Sequence, residues 1–571
     1  MKKPLSLYKG EDFKNLREAL AASAAAYPGN PAFLEKTGEE FRPVSYADFL
    51  RRVNALGTAL KKRIPAGTHC ILMGENSVEW AEAFMTVING VGIVCPIDCE
   101  TESAELGRLV NVSDSGVILY SEKSAKAVQA AEGVTKICFS EFESLEKEGE
   151  KMLSEGDVSY IAAEIDRNVP ACIFFTSGTT GASRGVMLSQ GNICFDIAET
   201  GRVLKHNTDD VFMAVLPLHH AYSCSFSLLF PLCFGACVAI GRGLRYLTRD
   251  IQEARPTIIC CVPMMLDTIY RKILAGIRRK GESAERISAR LAAMSGNNIA
   301  LKKRIFGEIH RQFGGRLRLI ITGGAAADPA VIKGMRSYGF FTIQGYGLTE
   351  CAPLAAVNRD DEYRDSSVGL PTPHAVFDIF DIRKDGTGEI RYKGGNVMLG
   401  YYKDPDATAE VIRNGWFYTG DIGYIDAAGY LYITGRKKNV IVTNGGKNIF
   451  PEELEVQLGR DRFIEDAVVV AYMNEGRGDY DIVAVLHPDD AAFREAYGRD
   501  YLRGQVEAEF RRAVEAVNSE NVHYKHIRYF VTRTEPFEKN ASRKTIRAGV
   551  AGDARNEYLR KLAGGSIETE A

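Results

Sequence analysis

The sequence predicts a large, multi-layer α/β domain followed by a small α+β domain, with a hinge between them. The chain has 571 residues, more than a single hydrophobic core usually organises. Strand-like apolar runs alternate with amphipathic, helix-like segments through roughly the first 430 residues, which is typical of α/β layers. Beyond that point a hairpin pattern appears, followed by a short mixture of strands and helices.

Two helix–strand pairs illustrate the alternation in the first domain. Periodic apolar positions predict a helix over Tyr46–Leu60, and the apolar run Cys70–Met73 predicts the strand that follows it. A second helix is predicted over Asn298–Phe313, with a strand after it over Leu317–Thr322. The small residues of Gly323–Ala327 end that strand.

The pattern changes between Tyr424 and Ile433, where two short alternating strands flank an Asp/Gly turn. We predict a large domain over residues 1–435, a small mobile domain over 436–550 and a tail over 551–571. The tail is predicted to begin as a helix and then to fray. The small domain is predicted to contain a helix, a strand and a second helix, over Glu452–Leu458, Ala467–Tyr472 and Tyr501–Val517.

Bulk composition restricts the partners and the compartment. The net charge is −3 with balanced acidic and basic residues, so the sequence predicts no nucleic-acid partner. The twelve cysteines all precede residue 352 and form no Cys-x-x-Cys pair, which indicates small buried side chains in a reducing cytosol. The first residues lack an apolar run long enough for a signal peptide, so we expect a cytoplasmic protein.

The longest apolar stretch runs from Cys224 to Ile240 and is marginal in length for a membrane span. It contains Pro231, Gly235 and two serines, which favours a buried helix and strand of the main core. A peripheral membrane contact in this stretch is the alternative that the sequence leaves open.

The segment Thr176–Gly185 concentrates hydroxyl side chains and glycines directly after the apolar run Ala171–Phe175. Glycines let the backbone turn tightly and present its N–H groups, and hydroxyls add donors around an anion, so the segment is suited to phosphate. It is not the P-loop of kinases, which has Gly-Lys before Ser or Thr. A polar strand-to-helix connection is the plain structural alternative.

Three further motifs follow in the order Gln344–Glu350, Gly415–Asp421 and Gly435–Asn439. With the glycine and hydroxyl segment, this set resembles the acyl-adenylate-forming superfamily, which contains acyl-CoA synthetases, luciferases and the adenylation domains of peptide synthetases. The resemblance extends from Val44 to Lys544 and so covers nearly the whole chain. It implies a reaction that uses ATP and Mg²⁺, in which the small domain alternates between two positions.

The resemblance implies how the phosphates of ATP are held. Glu350 would bind Mg²⁺, and Thr349 would contact the α-phosphate. Arg184 stands where the family usually has lysine. The arginine keeps the positive charge, but its planar guanidinium has a different geometry from the compact ammonium of lysine. The residues implied at the β- and γ-phosphates are Thr176, Ser177, Gly178, Thr179, Thr180, Gly181, Arg184 and Gly185.

For the nucleoside, the resemblance implies an aromatic side chain that stacks on the adenine, a backbone segment that passes close to the base, and a carboxylate that binds the ribose. The residues implied at the adenine are Tyr346, Gly347, Gly324 and Ala325. Asp421 would accept hydrogen bonds from the ribose hydroxyls, and Arg436 would make a further nucleotide contact. Taken singly, Tyr346 is also explained as a core aromatic and Asp421 as a turn residue.

The resemblance also implies two residues that act through domain movement. Lys438 corresponds to the hinge, and Lys544 to the lysine that the small domain carries to the α-phosphate. Arg543 stands where glycine is usual, and Lys539 is the alternative lysine in the same segment. A solvated run of charge is the plain alternative for this segment.

Two further segments correspond to the thiol path and the acyl pocket. Gly446 and Lys447 lie in a loop that resembles the one lining the pantetheine tunnel, where a side chain would obstruct the thiol. His220 corresponds to the histidine at the mouth of the acyl pocket, and His219 is expected to be packed or solvated. We expect no metal at this histidine pair, because further ligands are missing nearby.

The sequence therefore predicts an ATP-dependent acyl-CoA ligase. It would convert a carboxylic acid, of medium- to long-chain fatty acid type, into acyl-AMP and then, with coenzyme A, into a thioester. Delivery to the thiol of an acyl carrier protein is the nearest alternative. An inactive nucleotide- or acyl-binding protein on the same fold is the alternative from another class. The chain length of the acid and the oligomeric state are left open.

Overall fold

The computed structural model describes residues 7–38, 40–177, 183–360, 362–444, 447–539, 545–547 and 549–562. The chain forms two compact units. The larger unit consists of Met1–Asp378, Arg391–Tyr418 and Asp426–Leu431, and the smaller unit of Ile379–Ile390, Thr419–Ile425 and Tyr432–Ala571. The predicted α/β class, with a large N-terminal domain and a smaller C-terminal domain, is confirmed. The domain limits at residues 435 and 550 stay predictions.

Among the described helices, eight begin at a Ser, Asn or Asp side chain that accepts one of the first free N–H groups. The helices are α1 (Leu16–Ala26), α2 (Tyr46–Arg63), α3 (Val78–Thr86), α4 (Ser103–Ser113), α5 (Ala125–Gln129), α6 (Phe142–Ser154), α7 (Gln190–Val203), α8 (Ala221–Ser223), α9 (Phe230–Cys233), α10 (Leu247–Ala254), α11 (Pro263–Arg278), α12 (Glu282–Met294), α13 (Ile299–Ile305), α14 (Gly307–Gln312), α15 (Pro329–Ser337), α16 (Pro405–Val411), α17 (Pro451–Leu458), α18 (Asp490–Tyr497), α19 (Arg503–Glu520) and α20 (Val550–Leu562).

The strands are mostly short and belong to five sheets. They are β1 (Pro31–Thr37), β2 (Glu40–Ser45), β3 (Thr68–Met73), β4 (Gly92–Ile97), β5 (Ser115–Tyr120), β6 (Thr135–Cys138), β7 (Pro170–Ser177), β8 (Ser183–Ser189), β9 (Val211–Met213), β10 (Cys237–Ile240), β11 (Ile258–Cys261), β12 (Leu319–Thr322), β13 (Thr342–Gly347), β14 (Leu354–Val357), β15 (Leu370–Pro371), β16 (Val376–Phe380), β17 (Gly388–Lys393), β18 (Gly400–Tyr401), β19 (Ile412–Arg413), β20 (Trp416–Ile425), β21 (Leu431–Arg436), β22 (Ile441–Val442), β23 (Asn448–Ile449), β24 (Ile464–Asn474), β25 (Asp479–Pro488) and β26 (Ile527–Thr532).

Two large sheets form the larger unit. One has the order β15-β14-β13-β12-β11-β9-β10-β1-β2, and the other has the order β18-β8-β7-β4-β3-β5-β6. The central strands of each sheet are parallel, and antiparallel strands lie at one or both edges. In such sheets, loops at the carboxyl ends of the parallel strands are the usual place for a ligand. The candidate residues after β7, β12 and β13 follow this rule.

The predicted elements are present, with shifted ends. The helix predicted over Asn298–Phe313 is two helices, α13 and α14, that are separated at Phe306. Phe306 is buried in the core of the nine-stranded sheet, and Gly307 is a poor helix former, so the chain bends there. The hairpin predicted between Tyr424 and Ile433 is formed by β20 and β21. The Gly429 N–H closes its turn by donating to the Asp426 carbonyl at 2.9 Å.

The apolar stretch from Cys224 to Ile240 forms a helical turn, α9 and β10, and its residues are buried apart from Phe234, which is half-buried. The interpretation as a buried part of the core is confirmed. Within the described ranges, no helix combines the length and apolar composition that a bilayer crossing needs. Ten cysteines are buried as expected, whereas Cys99 and Cys138 are half-buried.

The smaller unit contains the antiparallel pair β24–β25, with β26 added in parallel to β25. Helix α20 packs on this sheet through Val550, Ala554 and Tyr558, which lie four residues apart and are buried. The Tyr558 ring stacks on Tyr472 with 4.6 Å between centroids. The predicted tail thus begins with the expected helix, and its described residues, up to Leu562, pack in the core of the smaller unit.

Candidate active site

The glycine and hydroxyl segment connects two antiparallel strands. β7 pairs with β8 so that Thr176 lies opposite Arg184 and Phe175 opposite Gly185. The Thr176 hydroxyl donates to the Arg184 carbonyl at 3.4 Å. The segment therefore links two antiparallel neighbouring strands, and not a strand to a helix as considered from sequence. Four of its predicted phosphate ligands, Gly178, Thr179, Thr180 and Gly181, lie outside the described residues, as does the side chain of Ser177.

Gly185 is required by close packing of the hairpin. A Cβ at this position would lie 2.8 Å from Ile173 and 3.3 Å from Phe175 and Tyr402. The Gly185 carbonyl also accepts a hydrogen bond from the Tyr402 N–H at 2.7 Å. The glycine thus lets the segment that contains Tyr402 approach the hairpin directly.

Thr349 and Glu350 begin a single 3₁₀ turn, Thr349–Cys351, directly after β13. Both residues are half-buried. The Met398 N–H donates to the Glu350 carbonyl at 2.8 Å, which fixes the backbone of the turn. The Glu350 side chain accepts a hydrogen bond from the Tyr401 hydroxyl at 2.8 Å.

Tyr401 also connects Glu350 to Arg184. The Arg184 guanidinium lies 5.3 Å from the centroid of the Tyr401 ring, within the range of a cation–π contact, and its Nε is 3.7 Å from the Asp404 carboxylate. Burial, followed by the charge of Glu350, raises the pKa of Tyr401, so its hydroxyl stays a neutral donor. Tyr401 was not predicted from the sequence, where its only signal is an aromatic pair after Gly400.

A buried polar pair supports the turn that carries Glu350. The Asn396 side chain donates to the carbonyls of Cys351 and Leu354, each at 2.6 Å. The Leu354 N–H donates to Asp196 at 2.8 Å. Burial raises the pKa of Asp196 well above its ordinary value, which favours its protonated form. Asp196 and Asn396 lie 200 residues apart, so no sequence pattern could have paired them.

The residues predicted at the adenine follow two neighbouring parallel strands. β12 pairs with β13 with Thr322 opposite Gln344, so Gly324 and Tyr346 both lie two residues beyond this pair. Gly324 has φ +83°, a conformation that favours glycine, and like Ala325 it is exposed. Tyr346 is buried, and its ring centroid is 6.3 Å from that of Phe377.

Close packing of the backbone is sufficient to require glycine at position 347. A Cβ at this position would lie 1.7 Å from the Pro353 carbonyl oxygen, and the adjacent Leu348 N–H donates to the same carbonyl at 3.0 Å. Any side chain would therefore separate β13 from β14. The structure supplies this reason for the glycine in addition to the predicted approach of a ligand.

Asp421 and Arg436 form an ion pair within the smaller unit. The distance from Arg436 Nε to the Asp421 carboxylate is 2.8 Å, and the Asp421 side chain is 4% exposed. The Asp421 N–H donates to the Thr419 hydroxyl at 3.1 Å. The strands β20 and β21 pair with each other and so place these two residues side by side.

The hinge and tunnel residues also lie in the smaller unit. Lys438 is exposed in the short turn after β21. Lys447 is exposed, its N–H donates to the Thr443 hydroxyl at 3.0 Å, and its carbonyl accepts from the Thr443 N–H at 2.9 Å. Gly446 and the candidate catalytic Lys544 lie outside the described residues.

The histidine pair is packed, as expected for His219. The ring centroids of His219 and His220 are 4.2 Å apart, and His219 Nε2 is 3.7 Å from the Asp98 carboxylate. Burial, and then the neighbouring His220, lower the pKa of His219 to about 3, so it is uncharged at neutral pH. In the part of the chain that the structure describes, no cluster of His, Cys, Asp and Glu could hold a metal ion.

Fold and site together define a two-unit α/β protein with a half-buried carboxylate at the edge of a parallel sheet. The model of the family described as AMP-binding enzyme matches residues 20–402. The chain therefore belongs to the AMP-binding, acyl-adenylate-forming enzymes.

Relatives in this family carry different substrate names. The chain is 29% identical to Long-chain-fatty-acid–CoA ligase FadD15 of Mycobacterium bovis over 456 residues, which cover 73% of each protein. It is 28% identical to Indoleacetate–CoA ligase of Aromatoleum aromaticum, covering 78% of this chain and 84% of that one. The crystal structure of the anthranilate CoA ligase AuaEII in complex with anthranoyl-AMP has the same fold, with a TM-score of 0.76, 17% identity and coverage of 96% and 99%.

Proposed function

We propose that this enzyme is an ATP-dependent acyl-CoA ligase for medium- to long-chain fatty acids. In the first half-reaction, an oxygen of the acid's carboxylate attacks the α-phosphorus of ATP. The bond to the β-phosphate breaks, and acyl-AMP and pyrophosphate form. In the second, the sulfur of coenzyme A attacks the acyl carbon, the carbon–oxygen bond to AMP breaks, and the thiol proton passes to solvent.

The surroundings of Glu350 are the observation that carries this proposal. Its carboxylate is half-buried and accepts a hydrogen bond from the neutral Tyr401. Among the described residues, no lysine or arginine forms an ion pair with it. A carboxylate with uncompensated charge suits Mg²⁺, which typically uses one or two carboxylates beside phosphate oxygens. When bound, the ion would neutralise charge on the departing phosphates.

The remaining residues would bind and orient the two anionic reactants. Thr349 would donate to the α-phosphate, and Arg184 would offer its positive charge to the β- and γ-phosphates. Asp421 would accept from the ribose hydroxyls, while its pairing with Arg436 keeps the carboxylate oriented. Holding the reacting atoms in line in this way removes much of the entropic barrier.

Lys544 is the residue proposed to bring positive charge to the α-phosphate. Lys539 is the alternative lysine in this segment, and its ion pair supports the choice of Lys544. The Lys539 ammonium lies 3.1 Å from the Asp466 carboxylate. A lysine that is already ion-paired inside the smaller unit is less suited to a second partner. Lys539 therefore serves as the matched control for Lys544.

The half-reactions provide the test. Lys544→Ala should abolish acyl-AMP formation, measured as exchange of labelled pyrophosphate into ATP, yet should still convert supplied acyl-AMP and coenzyme A into thioester. Gly446→Leu should keep the exchange and lose the second step, because a side chain would obstruct the thiol. Lys539→Ala should keep both. Equal loss of both half-reactions in the first two variants would contradict the roles proposed here.

The acid and the acceptor are tested on the wild-type enzyme. The fatty-acid assignment is supported by the names of relatives such as FadD15, whereas the indoleacetate ligase marks an aromatic acid as the competing outcome. A panel of aliphatic and aromatic acids should give the fastest AMP release with medium- to long-chain fatty acids. If the thioester forms only on an acyl carrier protein, that protein and not coenzyme A is the acceptor. If no acid supports exchange of labelled pyrophosphate into ATP, the chain is a binding protein and not a ligase.

A further inference from the structure

Helix α12 exposes a stripe of large apolar side chains. Ile287, Leu291 and Met294 are 56%, 36% and 83% exposed. Their spacing of four and three residues aligns them along one face of the helix. Residues of this type are usually buried, and several together on one face mark an interaction surface.

Positive charge lies along one edge of this stripe. Arg286 and Arg290 lie one turn apart along the edge of the same face. The segment 263–316, which contains α11 to α14, has twelve Lys and Arg residues and only four Asp and Glu residues. The whole chain has a net charge of −3, so this segment is a strongly basic region on an otherwise acidic protein.

We propose that α12 docks this enzyme on the surface of a bilayer that contains anionic phospholipids. Ile287, Leu291 and Met294 enter the boundary between headgroups and acyl chains, and the arginines contact the phosphates. Helices with an apolar stripe beside basic residues bind in this way, and each cation adds attraction to an anionic surface. The stretch Cys224–Ile240, which the sequence offered as a membrane contact, is buried and presents no such surface.

The shape of the surface favours lipid over an acidic protein. The three apolar side chains form a ridge along a single exposed helix, and a fluid bilayer can adapt to a ridge. A protein partner needs a complementary groove to bury the same side chains.

Vesicle sedimentation of the full-length protein, without ATP or acid, tests the proposal. The wild type should bind vesicles of phosphatidylcholine with phosphatidylglycerol, bind vesicles of phosphatidylcholine alone more weakly, and dissociate as salt is raised. Ile287→Gln, Leu291→Gln and Met294→Gln combined should lower the partition coefficient by at least about tenfold, since most of the buried apolar area is lost. Val158→Gln, at a 55% exposed valine elsewhere, should have no effect.

A fluorescence measurement locates the contact. Tryptophan in Met294→Trp should shift its emission to shorter wavelength on anionic vesicles and be quenched by brominated lipid, whereas Val158→Trp should not respond. Failure of the wild type to bind vesicles would overturn the proposal, as would unchanged binding by the triple glutamine variant. Saturable binding of an acidic acyl carrier protein through this face, without vesicle binding, would overturn it too. Because binding is measured without substrates, these outcomes are independent of the proposed ligase reaction.

Discussion

Glu350 and Asp421 are both predicted to face the nucleotide, yet their surroundings differ. Glu350, in the larger unit, accepts a hydrogen bond from the Tyr401 hydroxyl at 2.8 Å and has no ion-paired cation among the described residues. Asp421, in the smaller unit, is paired with the Arg436 guanidinium at 2.8 Å and is almost fully buried. A neutral donor leaves the charge of a carboxylate available, whereas a guanidinium compensates most of it.

This difference relates each carboxylate to a different kind of ligand. An uncompensated charge favours a divalent cation, which gains from full attraction. A compensated carboxylate still accepts hydrogen bonds from neutral hydroxyl groups, such as those of a ribose, without holding an unpaired charge in a buried place. The partner of the carboxylate, more than its residue type, therefore decides its predicted role.

The largest expected effect comes from Glu350→Gln. Removal of the uncompensated charge should lower pyrophosphate exchange at saturating Mg²⁺ by about 100-fold or more, the scale of losing a preorganised electrostatic contact. Asp421→Asn is the matched control, since it also exchanges a carboxylate for an amide. It should cost only about tenfold, mainly in the KM for ATP. Equal losses in both variants would remove the distinction between the two carboxylates.

Tyr401→Phe tests whether the hydroxyl orients Glu350. Loss of the hydrogen bond should raise the Mg²⁺ concentration needed for half-maximal exchange by about tenfold, as found for groups that orient metal ligands. Tyr402→Phe is the control at the next residue, because the Tyr402 hydroxyl donates to the exposed Asp114 at 2.6 Å. If both variants need the same Mg²⁺ concentration as the wild type, the contact with Glu350 is only structural.

Arg184 is the cation on the other side of Tyr401, and its removal should have a smaller effect. Arg184→Ala should raise the KM for ATP by about fivefold and leave that for the acid unchanged, since a half-exposed cation contributes about 1 kcal/mol. Arg184→Lys should be tolerated. A parallel rise in both KM values would point to a folding defect and away from a phosphate contact.

The smallest effect is expected for stability. Arg436→Gln should lower the free energy of unfolding by about 1–2 kcal/mol, because Asp421 loses its buried partner while the arginine itself is partly exposed. Glu350→Gln should change it by less than about 0.5 kcal/mol. Denaturant unfolding of the two variants measures both values, and a greater loss in Glu350→Gln would reverse the comparison.

Local patterns allowed much of the fold and part of the site to be predicted. The apolar run Ala171–Phe175 before the glycines and hydroxyls indicated a strand, which is present as β7, whereas the strand β8 that follows the segment was not predicted. The helices and strands of the smaller unit were also found within a few residues of their ends. Such patterns succeed because periodicity and turn residues report on backbone geometry over a few residues.

Sequence alone determined the class of fold, the order of the motifs and the residue types available at the site. Only the tertiary structure decided which groups meet. Tyr401 and Glu350 are 51 residues apart in the chain, yet their side chains form a hydrogen bond. Asp196 and Asn396 are 200 residues apart, yet they form a hydrogen bond beneath the same turn. Helix α20 is part of the core of the smaller unit because it packs on the sheet, where the Tyr558 ring stacks on Tyr472. Contacts of this kind depend on sheet order and packing, which bring distant segments together and leave no local pattern in the chain.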